Sequence, residues 1–457
     1  MENRSSRPKR RSILGWLCVL GLSGMVLIGV RWMDATKPPL VTVSNPVMPN
    51  PNAYDDYVAA ATGIVNSKQI NEVSRLIPTF QPAAPYPGDP DGQSHAAVYP
   101  PPTMPGIFRS KAALVEQNAA VIAQLHQGFD HSYLQPARRT YNAYYYSAEF
   151  RGLARLLALQ GQARIEKGDW PGAIDSYLDI LRMGEEIPRG ATVMGSVSAT
   201  TCRFIGCQPL WKAIEHLNAA QSHVALHRLT SILDRHLPFA DTLQEEKWFG
   251  QNLRLEIFRD PRRYAVMFNL VGNPDDSASE MRLAMYSAIY LVYSKNRIMH
   301  GFTVYMDAAS AQARQPYALH LPEPPEPKDP MNQMFLPNWM QERWEDVHSE
   351  TLNELLLVTL ALHTYRLEQG HYPASLAELA PAYLQKLPDD PCAAEGTFHY
   401  RLKGADYVLY SVGPDGKDDG GRPIDNPKDA SATYPLWRYR VGRESLGDIV
   451  AGINILR

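Results

Sequence analysis

Apolar positions along most of this chain recur every three or four residues, which is the spacing of helices with one buried face. The clearest case is residues 148–187, AEFRGLARLLALQGQARIEKGDWPGAIDSYLDILRMGEEI, where a Gly-Asp turn followed by Pro171 separates two periodic segments. The second segment repeats apolar residues at helical spacing, namely Ala173, Ile174, Tyr177 and Ile180. The pattern predicts two antiparallel helices joined by a short turn.

Similar periodicity predicts further helices at residues 110–128, 207–236, 239–258 and 278–299. Proline-rich stretches interrupt the pattern at residues 36–52, 81–106 and 320–330, and these are predicted to be a spacer, a surface loop and a linker. The middle of the chain is therefore predicted to be all-helical.

In the last third of the chain the pattern changes from all-helical to one long helix followed by strands. A long helix is predicted from Trp344 to a stop at Gly370, and two alternating strands follow within TFHYRLKGADYVLYSVG, residues 397–413. The fold is thus predicted to be mainly α with a small α+β end. The predicted divisions are an anchor at 1–33, a linker at 34–52, a helical domain at 53–321, a linker at 322–343 and a C-terminal domain at 344–457.

A membrane span is predicted near the start of the chain. Residues 13–30 carry no charge and are bracketed by Trp16 and Trp32, as in helices that cross about 30 Å of hydrocarbon. More basic residues precede this segment than follow it closely. Those that precede it are Arg4, Arg7, Lys9, Arg10 and Arg11. The positive-inside rule therefore places the N-terminus in the cytoplasm and the bulk of the chain outside it. A cleaved signal peptide is the alternative, but GVRWMDA lacks the small residues of a cleavage site.

Composition narrows the possible functions. Lys and Arg total 45 against 48 Asp and Glu, so no overall charge favours nucleic acid as a partner. Four cysteines in 457 residues make no disulfide framework. Cys202 and Cys207 are predicted to be buried free thiols, because residues five apart on a regular helix point in different directions.

No catalytic motif stands out. His223 and His227 have the spacing of a metalloprotease helix, but HVALH lacks the glutamate that would act as a base, so a solvated helix face is predicted. The chain contains no G-x-S-x-G and no Walker loop. A hydrolase remains an alternative if its site is assembled from residues distant in sequence.

Two resemblances follow from these motifs. KGDWPGAIDSYLDIL resembles the second half of a tetratricopeptide unit, in which small residues let two helices approach closely, although one good copy is present. The C-terminal quarter resembles the globular part of the major pseudopilins of type II secretion systems. The matching motifs, in order, are Gly370-His371-Tyr372-Pro373, Leu387-Pro388-Asp389-Asp390-Pro391, Ser411-Val412-Gly413-Pro414-Asp415-Gly416 and Asp448-Ile449.

The chain also differs from the pseudopilins. The prepilin cleavage signature is absent from RSILGWLCVLGL, and about three hundred residues separate the span from the pilin-like helix, so ordinary polymerisation is not expected. The whole layout also resembles membrane-anchored bacterial envelope proteins without an assigned activity.

The pseudopilin resemblance implies a calcium site in the loop YSVGPDGKDDGG, residues 410–421. Its ligands would be the side chains of Asp415, Asp418, Asp419 and Asp448 with the carbonyl near Val412. An EF-hand is excluded, because Lys417 and Asn426 occupy the third and twelfth positions. A plain glycine-rich turn is the alternative.

Together these features predict a single-span protein of the bacterial inner membrane whose bulk is periplasmic. The expected role is a scaffold or interaction component with a protein partner in the envelope, and not an enzyme. A membrane-anchored hydrolase is the competing hypothesis.

Overall fold

The computed structural model describes residues 46–75, 105–137, 146–260, 294–317, 321–430 and 435–455, together with four separate positions between 21 and 29. In these residues the protein is mainly helical, with one small antiparallel sheet near the C-terminus, as the sequence predicted. Most of the predicted span at 13–30, most of the predicted loop at 81–106 and most of the predicted helix at 278–299 lie outside them. Within the part that is described, no helix combines the length and the apolar character needed to cross a bilayer.

The described helices are numbered in chain order. They are α1 Ala53–Thr62, α2 Ser67–Arg75, α3 Pro105–Gln117, α4 Ala119–Gly128, α5 Ser147–Ile165, α6 Trp170–Glu186, α7 Val193–Ala213, α8 Ala219–Leu233, α9 Phe239–Arg259, α10 Lys295–Ala313, α11 Pro330–Phe335 and α12 Trp339–Gln369. The strands are β1 His399–Lys403, β2 Asp406–Ser411 and β3 Ile449–Val450.

The predicted helical pair is present as α5 and α6. The carboxylate of Asp169 caps α6 by accepting the backbone N–H of Gly172 at 3.0 Å, and Pro171 lies in the first turn, where its missing N–H costs no hydrogen bond. Glycine at 168 has a positive φ of 78°, which most residues adopt at a cost, so the turn requires it. Helix α7 then packs closely against α6, and both bury their apolar faces in the main core.

The single predicted helix at 207–236 is instead two helices. Helix α7 ends at Ala213, a 3-10 turn spans Ile214–His216, and α8 begins after Asn218. The side chain of Asn218 accepts the N–H of Gln221 at 3.0 Å, and the Gln221 side chain accepts the N–H of Asn218 at 3.1 Å. This reciprocal capping box starts a new helix.

Helix α12 joins the helical body to the sheet. It contains 31 residues, so it is about 46 Å long, and it ends at Gly370, which has a positive φ of 76°. It packs against α7 and α8 along its length and against β2 near the sheet. Strands β1 and β2 form a hairpin, and β3 pairs antiparallel with β2.

The predicted boundary at 322–343 does not separate two cores. Helix α12 begins at Trp339, five residues before the predicted start of the C-terminal domain. One continuous cluster of buried side chains runs from Ala53 through Leu356 to Ile455. The apolar face of α12 is covered by α7 and α8, and the described C-terminal elements therefore share their core with the helical body.

Candidate functional site

The loop predicted to bind calcium follows β2 and lies against the backbone just before β3. Glycine at 413 has a φ of 70°, and a Cβ there would lie 2.3 Å from the backbone oxygen of Gly447. The backbone of Asp448 also pairs with this region, because its N–H donates to Arg422 O at 2.9 Å and its carbonyl accepts from Ile424 N at 3.0 Å. The structure thus brings the two distant parts of the predicted site together.

Asp448 is fully buried, and its carboxylate is surrounded by backbone donors. It accepts the N–H groups of Asp419 at 3.2 Å, Gly421 at 2.7 Å and Arg422 at 3.1 Å. Burial raises the pKa of Asp448 to about 6, against the lowering effect of the Asp419 and Gly421 N–H groups. Asp448 therefore organises the loop as a hydrogen-bond acceptor.

Two of the other predicted ligands are also engaged by protein groups. Asp418 accepts the hydroxyl of Tyr410 at 3.0 Å and the N–H of Gly420 at 2.8 Å. Asp419 forms an ion pair with Arg422 at 3.3 Å. The carboxylates of Asp418, Asp419 and Asp448 thus lie in one region. The groups that contact them are N–H, hydroxyl and guanidinium donors of the protein.

The two remaining predicted residues, Asp415 and Val412, also take part in hydrogen bonds within the protein. The carboxylate of Asp415 accepts the N–H of Lys417 at 3.2 Å within its own turn. The backbone N–H of Val412, the residue whose carbonyl was predicted as a ligand, donates to Asp390 at 3.0 Å.

As placed, these carboxylates are engaged by hydrogen-bond donors and a guanidinium of the protein itself. Calcium takes six to eight oxygen ligands, whereas N–H donors aimed at a carboxylate occupy the lone pairs that a cation would use. Among the residues the structure describes, no three acidic, His or Cys side chains converge in a manner that could hold a metal. The geometry favours the alternative, a glycine-rich turn, and calcium binding stays a prediction with a test given below.

Asp390 is an organising residue that the sequence analysis did not single out as a site. Its buried carboxylate accepts the hydroxyl of Ser411 at 2.7 Å and the N–H groups of Val412 at 3.0 Å and Cys392 at 2.9 Å. Burial raises its pKa despite these bonds. The one sequence signal for it was the Leu387–Pro391 motif of the pseudopilin resemblance.

A cluster of charged side chains lies elsewhere, between helices α6, α7 and α12. Arg203 on α7 is fully buried, and its guanidinium donates to Glu185 at 3.1 Å and to Asp346 at 2.5 Å. Burial opposes the charge of Arg203, but these two carboxylates outweigh that effect and raise its pKa. For Glu185, likewise, the attraction of Arg203 and a nearby histidine outweighs burial and lowers the pKa.

That histidine is His236, in the loop after α8. Its Nδ1 lies 2.9 Å from Glu185, while its Nε2 lies 3.5 Å from Glu350 and 3.8 Å from Asp346 on α12. Burial opposes a charge on His236, but Glu350, Glu185 and Asp346 together raise its pKa to about 10. These carboxylates thus favour the protonated form of His236, which disfavours a role as general base.

Glu354, one turn beyond Glu350 on α12, completes the cluster. Burial, followed by the repulsion of the Glu350 carboxylate, raises the pKa of Glu354 to about 8. Burial is also the largest cause of the raised pKa of Glu350. We call these six residues the junction cluster: Glu185, Arg203, His236, Asp346, Glu350 and Glu354.

A neighbouring set of bonds ties the first helix to the same region. Buried Glu186 accepts the hydroxyl of Tyr57 on α1. It also accepts from Arg182 at 2.9 Å and from Arg235 at 2.8 Å. Glu186 thus links α1, α6 and the turn after α8.

Other predicted features are as expected. His223 and His227 are exposed on α8, and His223 lies 2.7 Å from the surface carboxylate of Glu368. Cys202, Cys207 and Cys392 are buried free thiols. Burial raises the pKa values of Cys202 and Cys207 to about 12, so neither is a reactive thiolate.

Comparison with known proteins adds no assignment: no family model, no curated protein and no solved structure matches this chain.

Proposed function

We propose that this protein is a membrane-anchored scaffold or interaction component of the bacterial envelope, with its N-terminus in the cytoplasm and its bulk in the periplasm. The observation that carries the scaffold role is the continuous core through which α12 joins the helical body to the C-terminal sheet. A unit of this kind presents its surfaces in a fixed relative orientation, which is what a scaffold requires. The uncharged segment at 13–30 with its basic flank supports the anchor.

The finer fold assignment belongs to the same proposal. A tetratricopeptide-like origin for α5 and α6 is supported by the close crossing of the two helices, where a Cβ at Gly161 would lie 2.5 Å from the ring of Tyr177. A pseudopilin-like end is supported by the order of a long helix, the Gly370 stop, the turn at Ser375 and the β-hairpin. A protein of this kind would act in secretion or pilus-like assembly.

The anchor and orientation are tested with reporters fused after Arg457. We expect alkaline phosphatase, which is active outside the cytoplasm, to be active in the full chain, because the basic excess precedes the span. The matched control deletes residues 1–33, and there the same reporter should be inactive in the cytoplasm. An active cytoplasmic reporter on the full chain, such as fluorescent protein that folds only inside, would overturn the orientation.

The interaction role is tested by cross-linking in native membranes followed by affinity purification. We expect a defined envelope protein to co-purify with the full chain. A second purification, with a chain that keeps residues 1–33 but lacks the folded body, is the control. Recovery of the same proteins with the anchor alone would contradict a scaffold role for the body.

A second candidate function has one specific observation in its favour. Glu350 and Glu354 are neighbouring carboxyls with raised pKa values beside His236, which is the kind of pair that can donate and accept protons in hydrolysis. Purified chain should then cleave ester, peptide or glycoside substrates, and Glu354→Gln should abolish that cleavage. Equal residual activity in both proteins would remove this candidate.

A further inference from the structure

We infer that the junction cluster is a proton-sensitive latch, which holds α12 against the helical body in acidic and neutral medium and loosens it in alkaline medium. The inference rests on the arrangement of charged groups between the helices. It does not depend on the proposed scaffold role.

The latch is built from four separate parts of the chain. Glu185 lies in the last turn of α6, Arg203 in the middle of α7, and His236 in the loop between α8 and α9. The partners on the fourth part are acidic residues spaced four apart on α12, so they lie on one face of that helix: Asp346, Glu350 and Glu354. Every contact of Arg203 and His236 with this acidic face therefore crosses from the helical body to α12.

The cluster holds more acidic than basic groups. Four carboxyl groups face two cations, Arg203 and His236. The neighbouring cations do not correct the difference, because Arg182 and Arg235 both pair with Glu186. Asp234, in the turn before His236, adds a further negative charge near the acidic face. The attraction between the parts thus depends on a proton that remains on at least one carboxyl group.

Glu354 is the group that keeps such a proton near neutral pH. Its side chain lies on the acidic face beyond Glu350, and one of its oxygens is buried without a hydrogen-bond partner, which disfavours the ionised form. Burial and the Glu350 carboxylate give it a pKa of about 8 in the folded protein. Loss of that proton places a charge next to Glu350 and Asp234 and weakens the latch.

The direction of the effect follows from proton linkage. A carboxyl with a pKa of about 8 in the closed state and an ordinary value of 4.5 in the open state binds its proton more tightly when the latch is closed. Its contribution to closure is largest below pH 4.5 and is lost as the pH rises through 8. His236, whose pKa rises from an ordinary 6.5 to about 10, also loses its contribution as the pH rises from about 6.5 through 10, in the same direction as Glu354. Between pH 6.5 and 9, the open fraction should rise by about thirtyfold from Glu354 alone.

The test is hydrogen exchange of the full chain in detergent at pH 6.5 and pH 9, corrected for the intrinsic rate of exchange at each pH. We expect protection to fall by at least about thirtyfold at pH 9 in the loop around His236 and in the facing turns of α12. The variant Glu354→Gln keeps the shape of the protonated side chain and cannot ionise, so its loss of protection at pH 9 should be smaller than that of the unmodified chain, and the loss that remains is the part due to His236.

The matched control is His223→Gln, which removes an exposed histidine paired with Glu368 away from the cluster. It should keep the loss of protection seen in the unmodified chain. Equal protection of the unmodified chain at both pH values would overturn the latch. The same loss in Glu354→Gln as in the unmodified chain would overturn it too.

Discussion

Arg203 shows how a fully buried charge can hold distant parts of this chain together. Its guanidinium donates to Glu185 on one side and to Asp346 on the other. Removing one partner from a buried ion group leaves the others uncompensated in a medium that solvates them poorly. The cost of a change at Arg203 should therefore come mainly from the two carboxylates that remain.

We expect Arg203→Met to destabilise the protein by about 3–5 kcal/mol, since Glu185 and Asp346 would stay buried without a cation. Urea unfolding at pH 7 measures this change. Replacing the two acids as well, in Arg203→Met with Glu185→Gln and Asp346→Asn, should restore part of the loss. Arg366→Met is the control, because Arg366 is exposed and bonds to Tyr372 at the surface. A single-variant loss below about 1 kcal/mol would show that the buried pairs are not needed.

At the scale of elements, small residues allow α6 and α7 to lie close together. A Cβ on Gly206 would lie 2.9 Å from the backbone oxygen of Tyr177 and 3.1 Å from the side chain of Leu181. A Cβ on Gly184 would lie 2.6 Å from the side chain of Arg203. The packing of these helices, and with it the position of Arg203, depends on the absence of side chains at these points.

Gly206→Ala should destabilise the protein by about 1–3 kcal/mol, because the added methyl meets the backbone of α6. Gly152→Ala on α5 makes the same chemical change where the nearest other atom would be the mobile tip of Ile64, 3.3 Å away. That control should be neutral or gain up to about 1 kcal/mol from helix propensity. Thermal melting compares the two. Equal effects would mean that α6 and α7 are not in close contact at Gly206.

Local signals explain which elements the sequence predicted. The Asp169 cap, the Gly370 stop and the alternation around Lys403-Gly404 act over a few residues, so each could be recognised in the printed chain. The break before Asn218 was missed because apolar periodicity continues across it, while the capping box that starts α8 depends on side-chain bonds.

Non-local contacts explain what the sequence did not predict. The residues of the junction cluster are separated by up to 169 positions, between Glu185 and Glu354, and each is unremarkable within its own helix. The aspartate loop was located correctly, but the composition of a loop does not reveal whether its carboxylates face cations or N–H groups. The donors around Asp448 come from residues 26 to 29 positions earlier.

At the scale of the whole molecule, the shared core decides how calcium binding must be tested. A fragment from Trp344 to Arg457 would expose the face of α12 that α7 and α8 cover. Such a fragment would lose much of the core, so the full chain is the appropriate sample.

We expect the melting temperature of the full chain to be the same in millimolar calcium and in chelator, because N–H groups occupy the carboxylate oxygens of Asp448. A ligand that binds only the folded state would raise the midpoint in proportion to its saturation. A higher midpoint with calcium, lost in Asp415→Ala, would establish the metal site that the pseudopilin resemblance implies and would contradict the plain turn.

The acidic face of α12 also limits where recombination could exchange the C-terminal part of this chain with that of another protein. A recombination junction at residue 344 would transfer Asp346, Glu350 and Glu354 to another protein without Arg203 and His236. That protein would have to supply basic side chains at the same spacing. Otherwise the acidic side chains of the transferred helix would be buried without basic partners. The other recombination product would keep the buried arginine but only one of its two carboxylate partners. An exchange at residue 344 is therefore expected to leave neither half with a complete set of paired charges.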